Sequence, residues 1–134
     1  MRLADLGSDV VILACAISAG IHGALTPSHF DEGTGPGLGF AAATVALAGF
    51  VVWLTSRPAS VLALAAAAAT LAGLLASYAL AITTGVPVLH PHAEPVDGLA
   101  LATKAIEIVG LLAATSLLRR RVAITLTRPK GALT

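Results

Sequence analysis

Residues 84–107 read T-G-V-P-V-L-H-P-H-A-E-P-V-D-G-L-A-L-A-T-K-A-I-E, and they join the last two long apolar runs of the chain. Gly85, Pro87, Pro91 and Pro95 keep the first half of this stretch out of a helix. The second half opens an apolar run that nevertheless contains Lys104 and Glu107. Two of the four histidines and three of the seven acidic residues fall here, in a sequence otherwise dominated by Ala, Leu, Val and Gly. Such a connector between apolar runs is what a chain crossing a membrane needs.

Composition supports that reading. Of the 134 residues, 57% are hydrophobic and 11% charged, against about 25% charged in a soluble domain. That leaves too little polar surface to cover a water-facing core. Four apolar segments follow, at about 8–25, 37–54, 59–84 and 96–118, each close to the ~20 residues that cross a bilayer as a helix. Their unbroken runs, without two-residue alternation, exclude a barrel. The expected fold is all-α: one integral membrane domain over 1–134, a four-helix transmembrane bundle of up-down topology. Pro27, Gly33, Gly35, Pro36 and Gly37 predict a first connector over 26–36. Ser56-Arg57-Pro58 predicts a tight second turn, with Pro58 in the first turn of the third helix.

The first segment could imitate a signal peptide, and Ile12-Leu13-Ala14-Cys15 is close to a lipoprotein cleavage box. The residues before it, however, carry one Arg against two Asp, and the apolar run continues to Leu25, so a retained span is expected. Lone Cys15 gives no disulfide framework. Arg57 lies in the second connector, and Arg119, Arg120, Arg121, Arg128 and Lys130 lie in the tail 119–134. The connectors 26–36 and 85–95 carry no Lys or Arg. The excess of basic residues on cytoplasmic loops then places both termini in the cytoplasm, makes 26–36 and 85–95 extracytoplasmic, and points to a multi-pass protein of the inner (plasma) membrane. The basic tail is a topology signal and a contact for anionic lipid; nucleic-acid binding would need far more. Glycine loops for nucleotides and nucleophile–His–acid patterns are also missing.

Small residues recur four apart at Ala16/Gly20/Ala24, Gly39/Ala43, Gly73/Ser77 and Gly110/Ala114. Such faces let helices approach closely in lipid, though a chain rich in Ala and Gly also produces the spacing by chance.

The segments G-I-H-G-A-L-T-P-S-H-F (20–30), T-G-V-P (84–87), E-P-V-D-G-L (94–99) and A-T-K-A-I-E (102–107) together resemble a group of small four-span membrane proteins of actinobacterial genomes. The resemblance spans most of the chain. It implies four spans and a bacterial origin, and transfers no activity. His90 and His92 depart from the acidic, proline-rich connector of that group.

Candidate functional residues fall in two sets. Within the membrane, Cys15, Ser18 and His22 share one stripe of the first helix. Lys104 and Glu107 share one of the fourth, about 10 and 15 Å below Asp97. An ionisable group at that depth should face the interior and have a partner. Either Lys104 and Glu107 form a structural ion pair, or Glu107 is a relay carboxylate in a site that His22 joins, with Tyr78 supplying a hydrogen bond. Outside the membrane, His29, His90, His92 and Glu94 are candidate ligands for a divalent transition metal, zinc or copper. An H-x-H with scattered acids lacks the fixed spacing of a zinc signature, and Pro91 turns the two imidazoles apart, so a solvated polar loop competes. Two functions result. One is a non-enzymatic accessory or interaction module with metal-holding outer loops, partnered by the bilayer and by a second copy or a larger membrane complex. The other is a small proton-coupled carrier using Glu107, Lys104 and His22. An enzyme has the least support.

Overall fold

A computed structural model of the chain describes residues 3–85 and 95–127. They form four helices: α1 (Leu3–Glu32), α2 (Thr34–Ser56), α3 (Val61–Thr83) and α4 (Gly98–Thr127). Each is long and apolar enough to cross a membrane. α1 packs against α2 and α4, and α3 against α4 and, over a smaller area, α2. At 1.5 Å per residue the 30-residue α1 and α4 are about 45 Å long, beyond a ~30 Å hydrocarbon layer.

The expected connector over 26–36 is corrected. Pro27 lies inside α1, and a single residue, Gly33, separates α1 from α2. Proline removes only one backbone donor, and in membrane helices neighbouring side chains stabilise the interrupted turn. Here the Thr26 hydroxyl donates to the His22 carbonyl at 2.8 Å, and the Ser28 hydroxyl and His29 Nδ1–H both donate to the Leu25 carbonyl at 2.8 Å. Pro36 falls in the first turn of α2, where an N–H has no intrahelical partner anyway. The turn closes tightly because Gly37 lies against the Phe30 ring, in space that a Cβ would take.

The other ends are built by caps. Ser60, not Pro58, opens α3: its hydroxyl accepts from the Ala63 N–H at 3.1 Å, and Pro58 sits in the preceding turn. Gly85 takes φ 73 after α3, the left-handed conformation that glycine supplies at helix ends. Asp97 accepts from the Ala100 N–H at 2.7 Å, capping α4.

Two layers follow along the bundle. One half is apolar, with Val11, Cys15, Leu47, Leu54, Leu64, Leu71 and Leu117 among its buried residues. The helices come close there through small residues. Gly110 faces Ala14 so tightly that a Cβ on it would stand 2.6 Å from the Ala14 Cβ, and Ala114 is fully buried beside it. The other three small-residue patterns are not internal seams. Ala16, Gly20 and Ala24 are exposed on α1, and Gly39 and Gly73 are open, although Ala43 is buried. The outside is apolar as well, with Val45 73% exposed and Val52 69%, as a surface solvated by lipid should be. The remaining half holds Ser18, His22, Thr103 and Glu107, the buried polar residues other than Ser8 among the described residues. Gly7 meets Leu117, Ala14 meets Gly110 and Ser18 meets Glu107, so rising numbers on α1 meet falling numbers on α4, and His22 arrives one turn beyond Glu107.

Candidate functional site

Glu107 lies about 14 Å along α4 from Gly98 and is fully buried. Its two carboxylate oxygens are held differently. Oε2 accepts from Lys104 Nζ at 2.7 Å, one turn earlier on the same helix. Oε1 accepts from the Ser18 hydroxyl of α1 at 2.8 Å. A charge-assisted bond to each oxygen is what keeps an ionised carboxylate tolerable away from water.

His22 joins through Ser18. Its Nδ1 lies 2.9 Å from the Ser18 carbonyl and 3.3 Å from the hydroxyl. A carbonyl only accepts, so Nδ1 carries the proton and, in the neutral ring, Nε2 keeps the lone pair. Ser18, His22 and Glu107 are the residue types of a nucleophilic triad, but the bonds run the wrong way. The serine hydroxyl donates directly to the carboxylate and the histidine N–H donates to a backbone oxygen, so the imidazole is not placed between them as the base that a triad needs. The arrangement suits holding charge and exchanging a proton.

Around this centre stands an aromatic shell. Lys104 Nζ lies 5.4 Å from the Tyr78 ring centroid, a cation–π contact. Tyr78 therefore meets the centre by its face, and its own oxygen is buried with no hydrogen-bond partner among the described residues. Phe40 of α2 has His22 tilted against it at 5.1 Å and His29 stacked on it at 3.5 Å. A cleft of about 630 Å³ lies above, lined by His22, His29, Phe40, Ser77, Tyr78 and Lys104 among others. Glu107 lies behind Lys104 and does not line it.

The intramembrane residues expected from sequence therefore come together: His22, Tyr78, Lys104 and Glu107 converge at one level. Ser18, expected only as part of the α1 stripe, proves to bridge α1 to α4, and Phe40, which gathers both histidines, is the addition. Phe40 had no signal in the sequence. Cys15, on the same stripe, lies in the apolar layer. Asp97 is occupied as a helix cap. The metal set fares differently. His90, His92 and Glu94 lie outside the described residues. His29 has its Nδ1 engaged with Leu25 and its ring on Phe40, and no group of three metal-ligating side chains occurs among the described residues.

Four helices apolar enough to span, with polar side chains turned inward at one level, have the character of a multi-pass membrane protein with an internal polar centre. Comparison with protein families, with curated proteins and with solved structures finds no match for this chain. The expected resemblance to small actinobacterial four-span proteins, and the bacterial origin it implied, gain no support from these comparisons.

Proposed function

We propose that the protein is a small proton-coupled carrier of the plasma membrane, an up-down bundle with both termini cytoplasmic, which handles its proton at the Glu107–Lys104–His22 centre. The observation that supports it most is the Lys104–Glu107 pair at mid-depth: the carboxylate is sealed while its lysine fronts a cleft. Intramembrane ionisable groups are costly and mark ion or solute paths. The charge distribution supports the orientation. Arg121 Nη2 donates to the Pro58 carbonyl at 2.8 Å, so the end of α4 and the Arg57 turn share one basic end, while Asp31, Glu32 and Asp97 lie towards the other.

The test is dissipation of an imposed proton gradient across vesicles carrying a pH-sensitive dye. Wild type is expected to exceed protein-free vesicles severalfold, and Glu107→Gln to fall to their level while its helical circular dichroism is unchanged. Wild-type vesicles as tight as empty ones would sink the reading.

The accessory-module alternative draws on the exposed Ala16/Gly20/Ala24 face, where nothing lies within 4 Å of a Cβ built on Gly20. It predicts a complex, with a second copy or another membrane protein, that Gly20→Leu breaks in mild detergent.

A further inference from the structure

We propose that the cleft binds a membrane-borne carboxylate amphiphile of the fatty-acid class, whose carboxylate pairs with Lys104 while Glu107 takes up a proton. This rests on the carrier reading above and names its substrate class.

Lys104 stands between Glu107 and the cleft. Its ammonium makes one hydrogen bond among the described residues, to Glu107 Oε2, of the three it can donate, and its side chain keeps 14% exposure. Glu107 keeps none. Glu107 does not line the cleft; Asp97, about 10 Å along the axis of α4 from Lys104, and Glu32, at the end of α1, line its outer part. A ligand group seated at Lys104 therefore meets the cation there, which selects an anion or an oxygen acceptor. The walls select the rest of the molecule: Ile21, Leu25, Phe40 and Leu74 line the cleft and suit an apolar chain. Its volume of about 630 Å³ falls within the ~300–1,000 Å³ of small-molecule sites. The way in runs between α2 and α3, which share the smaller contact. Gly39 and Ser77 line the cleft from those helices and are both exposed, and nothing lies within 4 Å of a Cβ built on Gly39. That opening faces the lipid, the phase in which a fatty acid is dissolved.

Charge balance couples binding to a proton. One lysine cannot offset two carboxylates in a low-dielectric site. When the ligand carboxylate takes over the Lys104 N–H contact, one proton given up by a buffer acid in the aqueous phase bonds to Glu107, leaving the buffer base behind. The site begins as Lys⁺ with Glu⁻ and ends as Lys⁺ with the ligand carboxylate beside neutral Glu107, so its net charge is unchanged. No redox change occurs and no covalent bond other than the new O–H is made. The titratable groups facing this exchange are His22 on α1, whose Nδ1–H is held by the Ser18 carbonyl, Tyr78 on α3, beneath the ammonium, and, further out along the cleft, His29 and Glu32 on α1 and Asp97 before α4. α2 contributes Phe40 and Ala43 to the cleft, neither of which titrates. The proton goes to Glu107 because Glu107 is the carboxylate that loses its cation, keeping the Ser18 hydroxyl on Oε1.

The experiment uses the purified full chain in nanodiscs of synthetic phosphatidylcholine, weakly buffered with a pH indicator, with empty discs subtracted. Palmitate is the probe, and hexadecanol and methyl palmitate are the neutral controls. Palmitate is expected to bind saturably with uptake of about one proton per chain, and the controls to bind about tenfold more weakly with no uptake. Lys104→Gln should abolish palmitate binding. Gly39→Phe, which blocks the opening and leaves the centre intact, should weaken it at unchanged helicity. Equal binding of the alcohol or ester, palmitate binding without proton uptake, or binding indifferent to both variants overturns the proposal. If palmitate fails while Glu107-dependent proton flux persists, the substrate class falls and the carrier reading stands; if both fail, both fall.

Discussion

Lys104 and Glu107 are three residues apart in an apolar run, and that spacing alone predicts a shared helix face and an ion pair; the structure holds the pair at 2.7 Å. What surrounds it was harder to read. The Ser18 bond to Glu107 joins residues 89 apart in the chain, and nothing local fixes the register of α1 against α4 that brings them together. His22 was readable as an inward-facing histidine, but its Ser18 carbonyl bond and its packing on Phe40 depend on the same register. The pair makes a prediction with a definite sign. Removing one member of a buried ion pair leaves an uncompensated charge and costs about 3–5 kcal/mol, whereas replacing both by apolar groups is often neutral. Lys104→Met alone is therefore expected to lower stability by roughly that amount, and Lys104→Met with Glu107→Met to return within about 1 kcal/mol of wild type. Unfolding in detergent, followed by circular dichroism, reads both. A double variant as unstable as the single one would mean that Lys104 acts through its packing on Tyr78 and not through Glu107.

At the scale of helices, their number was legible because four apolar runs have no other stable form in lipid. Their limits were not. Proline and glycine between 27 and 37 read as a loop by composition, yet α1 runs to Glu32: Pro27 forgoes a single bond, to the Gly23 carbonyl, and Thr26 and His29 tie their side chains to the neighbouring His22 and Leu25 carbonyls. The small-residue patterns were similarly ambiguous, since Ala and Gly lie on every face and only contact decides which face is a seam. Two substitutions separate seam from surface. Gly110→Leu must displace Ala14 and Leu71, and overpacking of that kind costs about 1–3 kcal/mol. Gly73→Leu has open space and is expected to change stability by less than about 0.5 kcal/mol. At the α1–α2 turn, Gly37→Ala collides with the Phe30 ring. Its cost should shrink in a Phe30→Ala background, and a double-mutant cycle measures that coupling. Additive effects would show that the ring does not pack on Gly37 in the membrane.

Across the whole molecule, apolar residues occupy both the buried and the exposed positions, so the hydrophobic effect does not hold the helices together once they are in lipid. Close packing around Gly110 and the Ser18–Glu107–Lys104 bonds supply the specificity instead. The two halves divide the work: a dry layer of Leu47, Leu54, Leu64 and Leu71 on the basic side, and the polar centre with its cleft on the acidic side. In a carrier that division leaves the cleft, with its opening between α2 and α3, on the acidic side, while the packed layer closes the bundle towards the basic end. The orientation then decides from which side a proton reaches Glu107. The basic residues at Arg57 and Arg119–Arg121 predict that the dry layer lies on the cytoplasmic side. A fluorescent-protein fusion at the C-terminus should therefore glow, and an alkaline-phosphatase fusion at the same point should be inactive. A cysteine placed at Glu32, exposed at the end of α1, should react with a membrane-impermeant maleimide in whole cells in a Cys15→Ala background, while one at Ser56 should not. The reverse labelling pattern would invert the bundle and put the cleft on the cytoplasmic side, with proton uptake at Glu107 then drawn from inside the cell.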